Sequence, residues 1–463
     1  MVEALAVKLG GSIFKEDGFR KSAEYLARRF EDGERPIAVV SAPYGISDNL
    51  IEYWGWPPSE GNASYPTRYL NSVYEDLLKQ MPEGPARSRT SNELEKRLEN
   101  LRALLLNGDK TQEARVLAAG EDHSGIMLKG WLEELGFRSE YFDGGEAGIV
   151  VNPYGRPKIE TSKVKIRSKI EGLIGPRSRV IPVVGGYVGH CEETGHYILM
   201  GRNSTDVAFA LVGAAFDGSD GEIIKDVPGV LFVEPGVMAT DVLEFLSYGE
   251  ASQITWRGAR VVHPLAIEIA RENKRGIIVK DIEKGKGTRI GEKSQTTKER
   301  IVAAVSVGPV YVYTVRDPLM GSGDVGYGAK VLDVFSENKI PILDIATGAN
   351  RISVTSRYAN GFERVIKTRL TEIGYKPEVA VREGKSSITV TGDAMSEVPG
   401  SLHRITGVLA SQGATIRGIS QPDEEKVAGI GDSPSVTLIV DTDKVNSVVK
   451  ALYEELGPVS NKS

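Results

Sequence analysis

Lys8 stands two residues before the pair Gly10-Gly11 and the hydroxyl of Ser12. A strand that stops at paired glycines ahead of a helix can bring backbone N–H groups, a helix N-terminus and a lysine up to a phosphate. The same residues also make an ordinary tight turn with a surface lysine. The run Gly185-Gly186-Tyr187-Val188-Gly189 carries the same two readings. Further on, Gly201-Arg202-Asn203-Ser204-Thr205-Asp206 gathers a guanidinium, three hydrogen-bonding side chains and a carboxylate where a helix is about to start. Ser204 or Asn203 offers an N-cap there, which is compatible with a catalytic role. Glu121, beside Asp122 and His123, falls in or at the start of a helix. A lone acid on a helix is ordinarily solvated, and His123 takes the same reading. "KDVPGV", Lys225 to Val230, closes a strand-like run with a Pro-Gly turn and reads as a plain turn or as the rim of a nucleotide pocket.

The elements that must position these residues follow from composition and periodicity. At 463 residues the chain is too long for one core, and roughly two to four domains are expected. Hydrophobic content of 40% and charged content of 26% are ordinary for a globular protein. A net charge of −6 argues against nucleic acid and polybasic membrane contacts. The single cysteine, Cys191, excludes an internal disulfide and fits a reducing cytoplasm. Scattered histidines leave no pattern for a zinc site, and no apolar run reaches the roughly 18 residues of a membrane span.

Residues 3–9 and 36–41 are apolar runs of the parallel-strand type, with an amphipathic stretch from Phe19 to Phe30 between them. Residues 65–135 are rich in Leu, Glu, Arg and Ala and predict an extended helical region. Strand-like runs return at 138–142, 179–184 and 277–281, with a helical pattern at 205–216. Alternating strands and helices over this length predict a layered α/β domain. From 283 to 298 the sequence turns polar and glycine-bearing, as a linker or an exposed edge. The pattern then reads βαββαβ over 309–316, 326–338, 340–346, 350–357, 360–373 and 376–382. Residues 387–392, 398–412, 414–419, 435–441 and 443–456 repeat that order without its last strand. A spare strand at 301–306 is expected to complete the second copy by non-sequential pairing.

Several stretches, in order and near the right spacing, resemble the aspartate kinases of the amino-acid kinase family: "VKLGGS", "VVSAPYGISDNL", "AGEDHS", "PVVGGYVG", "MGRNSTD", "IIKDVPGVLFVEPG", "SYGEA" and "RGARVVHPLAI". "GSLHRITGVLASQGATIRGISQ" is similar to the second of that family's paired ACT modules. The resemblance implies a three-layer α/β/α kinase domain over 1–285 and a linker over 286–298. It also implies one ferredoxin-like ACT module over 309–382 and a second built from 299–307 and 383–459. The implied reaction is phosphoryl transfer from ATP, with Mg2+, to the side-chain carboxylate of aspartate.

By match, Lys8 holds the transferring phosphate and Asp206 orients the lysine or the metal-bound phosphates. Gly10, Gly11 and Ser12 surround the phosphates, with the two glycines as backbone donors. Glu121 pairs with the substrate ammonium and Arg202 clamps its α-carboxylate. Ser41, Ser47 and Ser204 flank the acceptor. Lys225, Asp226, Gly229 and Arg260 line the nucleotide. No protein-held metal is implied. A homodimer through the ACT modules and an amino-acid effector bound to them complete the expectation.

The departures cluster near the reacting atoms. Pro43-Tyr44 stands where the family has Met-Gly in its acceptor loop, and Asn203 where it has glycines. Lys225 replaces a threonine, Arg260 a lysine, and Glu234-Pro235-Gly236 an Asp-Pro-Arg. Bulkier residues there alter which nucleophile fits, so a homoserine hydroxyl is the alternative acceptor. A catalytically silent amino-acid sensor is a further alternative, opposed by the retained Lys8. Ser420-Gln421 leads into an acidic insertion, "PDEEKVAGIGDSP", so the effector is not implied by the match.

Overall fold

A computed structural model describes residues 3–175, 178–233, 236–256, 262–283, 287–293, 301–318, 320, 326–348, 350–358, 361–421 and 433–457. Contacts divide the chain into two compact units. The first comprises Met1–Val230, Val242–Tyr248 and Val261–Glu292, and the second Leu231–Asp241, Gly249–Arg260 and Lys293–Ser463.

In the first unit β1 (Leu5–Leu9) leads through α1 (Gly18–Glu31) to β2 (Pro36–Val40). A helical stretch follows: α2 (Ile46–Trp54), α3 (Glu60–Leu78), α4 (Pro85–Asn107) and α5 (Glu113–Glu134). Then come β3 (Arg138–Phe142), α6 (Ile159–Ile170), β4 (Val180–Gly185), the hairpin β5 (Val188–Cys191) and β6 (His196–Leu199), α7 (Thr205–Ala215) and β7 (Gly221–Lys225). The unit is completed by β8 (Phe245–Ser247), the start of α8 (Tyr248–Trp256), α9 (Pro264–Glu272), β9 (Ile277–Asp281) and β10 (Thr288–Gly291). The hairpin and α6 carry too little apolar periodicity to be legible in the sequence.

The strands form one sheet in the order β3-β4-β2-β1-β7-β9-β10-β8. From β3 to β9 neighbours are parallel, whereas β10 runs antiparallel to β9. Every residue of β1 and β2 is buried, as a parallel strand covered on both faces requires. Leu5, Val7 and Leu9 face a core shared with α1 and α5, while Ala6 and Lys8, by alternation, face α7. Residues 288–291, expected in a polar linker, instead form an inner strand, because Thr288 and Ile290 alternate inward and are fully buried.

The second unit holds a six-stranded antiparallel sheet in the order β12-β13-β11-β14-β16-β15. Its strands are β11 (Ala304–Arg316), β12 (Asp344–Gly348), β13 (Arg351–Ser356), β14 (Glu378–Thr391), β15 (Gly418–Ser420) and β16 (Ser435–Asp441). Helices Tyr327–Glu337, Phe362–Glu372, Ser401–Ser411 and Val445–Leu456 give the two ACT-type βαββαβ modules their order.

The strand expected at 301–306 does pair with the second copy, through Ala304–Thr391 and Ser306–Thr389. It is not a separate strand, however: it runs on into 309–316 as β11. Likewise 376–382 and 387–392 merge into β14. A register shift between Val310 and Val312 marks the point where both strands pass from one module to the other. Gly384, at φ 63°, absorbs that bulge. The strand expected over 340–346 begins only at Asp344.

Glycine identity fixes the close approach at the end of β1. A Cβ on Gly11 would lie 1.9 Å from the Ala42 carbonyl oxygen, a backbone atom that cannot step aside. Gly61, inside α3, meets nothing within 4 Å. Gly11→Ala is therefore expected to lose about 1–3 kcal/mol. Gly61→Ala is expected to be neutral or to gain up to about 1 kcal/mol. Urea unfolding midpoints of the two variants check this: equal midpoints would contradict the assigned crowding.

Candidate functional site

The parallel strands β1, β2, β4 and β7 all end at one edge of the sheet, where ligands of open α/β sheets bind. The chain leaves β1 toward β2 on one side and later crosses to β7 on the other, so the crevice lies between β1 and β7. Register places Lys8 beside Ile223. Lys225, two residues further along β7, therefore shares the face of Lys8. Helix α7 packs on that face and presents Asp206 in its first turn.

The Lys8 Nζ lies 3.1 Å from the Asp206 Oδ1, with both side chains less than a tenth exposed. The Asp206 Oδ2 accepts the backbone N–H of His263 at 2.9 Å. Burial alone would raise the Asp206 pKa. The charges of Lys8 and Lys225, with the Lys8 and His263 hydrogen bonds, outweigh burial and hold it below the usual carboxylate value. Lys225 is also lowered, but here burial wins: only partly offset by Asp206 and reinforced by Lys8, it brings the amine down to about 8. His263 was not singled out from sequence. Its signal was the His-Pro at the start of α9, where its Nδ1 also caps the helix by accepting the Leu265 N–H at 3.2 Å.

Glu121 is buried, against the expectation of a solvated helical acid. Its Oε2 accepts the N–H groups of Gly186 and Tyr187, each at 2.7 Å, and its Oε1 accepts the Thr205 hydroxyl at 2.8 Å. Burial pushes its pKa up to about 7, against the pull of these three donors. One carboxylate thus ties the turn after β4 to the first turn of α7. Gly186 must be glycine here, since a Cβ would stand 2.7 Å from the Thr205 Cα. Thr205 and Tyr187 join the site as residues whose role only the fold reveals. His123 is likewise buried, its Nδ1 2.7 Å from the Ala119 carbonyl, and is a helix-core residue.

Among the residues expected at the acceptor, Ser41 follows β2 with its N–H donated to the Leu9 carbonyl. Ser47 lies in the first turn of α2, and Tyr44 between them is 85% exposed. Arg202 is not beside Glu121 in a closed clamp: its Nη1 pairs with the Asp48 Oδ1 at 2.8 Å, and both side chains are open to solvent. The phenol of Tyr187 is shifted upward by burial and by Glu121, and Arg202 opposes the shift, so both groups act on one ring. Neither Ser204 nor Asn203 caps α7 through its side chain. Ser204 occupies the cap position but directs its hydroxyl to the Gly186 carbonyl at 3.3 Å, and Asn203 takes a left-handed conformation at φ 63°.

The residues expected at the nucleotide divide. The Gly10 N–H is spent on the Ile224 carbonyl at 3.1 Å, so it is no phosphate donor in this arrangement. Among the described residues, the N–H groups of Gly11 and Ser12, which lead the turn Gly11–Ile13, have no partner. Asp226 is solvent-facing, with Lys15 at 3.9 Å. Gly229 packs where a Cβ would touch Val242 and Thr288, so its space is filled by protein. Arg260, Glu234 and Pro235 lie outside the described residues. Among the described residues no group of three His, Cys, Asp or Glu side chains is placed to hold a metal ion. No helix among them is long and apolar enough to cross a membrane.

Residues 3–281 match the model of the amino acid kinase family. The chain is 25% identical to aspartokinase 2, chloroplastic, of Arabidopsis thaliana, over 96% of this chain and 83% of that protein. It is 23% identical to the lysine-sensitive aspartokinase 3 of Escherichia coli, over 88% of this chain and 91% of that one. The solved structure of E. coli aspartokinase III with lysine and aspartate superposes with a TM-score of 0.80 at 20% identity, covering 98% and 99% of the two chains. The same enzyme with aspartate and ADP gives 0.74, covering 98% and 100%. These likenesses show that both units share the fold of those structures.

The electrostatics of the crevice yield a direct check. Competitive acylation followed by mass spectrometry is expected to give Lys225 a reactivity midpoint near pH 8. Asp206→Asn, by removing the carboxylate that raises it, is expected to move the midpoint lower. A midpoint at the ordinary lysine value of about 10.4 would contradict the burial assigned to that amine.

Proposed function

The chain belongs to the amino acid kinase family, and from that premise we propose that it is an aspartate kinase. It transfers the γ-phosphoryl group of ATP to the side-chain carboxylate of L-aspartate, giving ADP and 4-phospho-L-aspartate. The observation that carries this reading is the buried Lys8–Asp206 pair at the carboxyl edge of β1, with Lys225 facing the same crevice. Phosphoryl transfer needs little covalent assistance from the protein. It needs fixed positive charge where negative charge spreads over the phosphoryl oxygens. Lys8 supplies that charge, and Asp206 keeps the ammonium aimed. Mg2+ enters as part of the nucleotide substrate, held by phosphate oxygens.

The acceptor chemistry agrees with the titration states. An aspartate carboxylate attacks phosphorus with no proton to lose, and the bond from phosphorus to the bridging oxygen of ADP breaks. A homoserine hydroxyl would need a base. Asp206 is held ionised against Lys8, and Glu121 is committed in this reading to three protein donors and the substrate α-ammonium, so neither carboxylate is assigned as that base. The relatives named above are aspartokinases, and the hydroxyl acceptor is not favoured. In this reading Glu121 takes the α-ammonium through its remaining lone pair. Arg202 turns from Asp48 to clamp the α-carboxylate, and Ser41, Ser47 and Ser204 flank the acceptor. The reading also includes a cytoplasmic homodimer joined through the ACT-type modules, with an amino-acid effector bound there. It keeps ACT modules over 309–382 and 299–307 with 383–459, and carries the kinase domain, expected over 1–285, on to Gly291 at the end of β10.

ADP release measured against aspartate, homoserine, threonine and serine is expected to select aspartate. Turnover with homoserine alone would overturn the acceptor. Lys8→Ala and Asp206→Ala are each expected to lower kcat by about 10²-fold or more. Each strands a buried charge, so a lower unfolding midpoint is expected as well, and far-UV circular dichroism at the assay temperature checks that the variants are folded. A kcat within about threefold of wild type for either would remove that residue from the transferring phosphate.

Arg202→Lys keeps the charge but loses the two-pronged geometry. It is expected to raise KM for aspartate by about tenfold and leave KM for ATP unchanged. Equal changes in both would place Arg202 at the nucleotide instead.

A further inference from the structure

A cavity of about 490 Å3 opens away from Lys8 and Asp206, between the end of α2, the start of α3 and the junction of α4 with α5. Tyr53, Trp54, Trp56 and Pro58 form its apolar wall, and Lys110 and Glu113 stand on its rim. Its size lies within the roughly 300–1,000 Å3 of small-molecule sites, and an aromatic wall with a few polar groups is their usual lining.

The wall is built rather than incidental. The rings of Tyr53 and Trp56 meet edge to face at 4.3 Å, and Tyr65 backs Tyr53 at 4.7 Å. Asn62 fixes the connecting loop by donating its side-chain amide to the Pro57 carbonyl at 2.7 Å, and Ser59 caps α3 by accepting the Asn62 N–H. Pro58 sits directly over Gly108, a left-handed residue at φ 65° whose missing Cβ would lie 2.3 Å from the proline ring.

The rim carries one charge of each sign. Lys110 and Glu113 are three residues apart on the turn that enters α5, and both are exposed. Among the described residues neither side chain makes a hydrogen bond or ion pair, with the other or with anything else. An aromatic wall with an unpaired cation and an unpaired anion at its mouth suits a small zwitterion whose third substituent is apolar.

We infer that this cavity binds a free amino acid with an aromatic or large aliphatic side chain. Lys110 takes the carboxylate, Glu113 takes the ammonium, and the side chain lies against Tyr53, Trp54 and Trp56.

The two helices that meet here also reach the crevice. Helix α2 ends at Trp54 in the cavity and carries in its first turn Ser47 and Asp48, the partner of Arg202. Helix α5 begins with Glu113 and carries Glu121 two turns later. Glu113 also lies within electrostatic reach of Tyr187, the ring on which Glu121 and Arg202 act. Two helices thus run from the cavity toward the acceptor end of the proposed site, and binding in the cavity does not depend on the kinase reading.

Titration calorimetry of the full chain with phenylalanine and leucine, with N-acetylphenylalanine and phenylalaninamide as controls, tests this. Saturable binding in the millimolar range or tighter is expected, weakened about tenfold or more when either charge of the ligand is blocked. Glu113→Gln and Lys110→Gln are expected to weaken phenylalanine by about fivefold or more, and Trp56→Ala by at least as much.

The two rim substitutions are on exposed side chains and leave the fold intact, so they decide the matter even if Trp56→Ala destabilises the protein. Two results would overturn the inference. One is no saturable binding of phenylalanine or leucine up to about 10 mM. The other is binding unchanged in both rim variants, which would place the amino acid elsewhere, such as the ACT-type modules.

Discussion

The ion pair between Lys8 and Asp206 is made deep in the first unit, where the end of β1 and the start of α7 come together. At about 3 Å its Coulomb energy is several kcal/mol at an effective dielectric of about 20. Taking both ions out of water costs a similar amount. The pair therefore adds little net stability, and a hydrophobic pair would fill the space as well. What it secures is an ammonium group of fixed direction in a crevice already lined by Lys225 and the N–H groups of Gly11 and Ser12. The rest of the unit is arranged so that this pair forms: α7 must lie on the face that Lys8 shares with Ile223, and α9 must deliver the His263 N–H to the second oxygen of Asp206.

Glu121 and Glu222 show how buried carboxylates hold the layers of such a sheet in place. Glu121 spans from α5 to the turn after β4 and on to α7, residues 65 and 84 positions further along the chain. Glu222, on the opposite face of β7, is met by the hydroxyl of Tyr25, by Arg29 at 3.1 Å and by Lys280 at 2.8 Å. Each acid is buried and multiply bonded, which is the condition for a buried charge to be tolerated. Each therefore fixes the relative position of elements distant in sequence. Glycines at 11 and 186 do the complementary work of removing side chains where backbone or helix must pass.

The second unit reaches its form by a different route. Two βαββαβ modules share one sheet because β11 and β14 are each long enough to serve both. The bulge at Val310–Val312 lets the paired strands change register without breaking the ladder, and Gly384 takes the left-handed conformation that the extra residue requires. Pro309 opens the second of the two stretches that periodicity separated. Local pattern therefore read two strands, whereas pairing along both edges made one.

Much of the first unit was legible in the sequence. Apolar runs such as LAVKL, broken only by Lys8, and PIAVV specify inner parallel strands, because strands covered on both faces need apolar residues on both. The long Leu-, Glu- and Ala-rich stretch specifies helices for the same kind of local reason, and the alternating order specifies the layered class. The chemistry-bearing types were also visible: a lysine before paired glycines, a carboxylate at a helix start, a glutamate beside Asp122. Which of them meet was not, because burial and pairing are long-range properties. Nothing local distinguishes Glu121, spent on three donors, from a solvated helical acid, or shows that the Gly10 N–H belongs to the ladder with β7. The polar segment at 288–291 likewise becomes an inner strand only because Thr288 and Ile290 face covered surfaces that other parts of the chain supply. Residue type and period set each element and its chemistry. The order in which the strands were laid side by side decided which charges would face one another across the crevice.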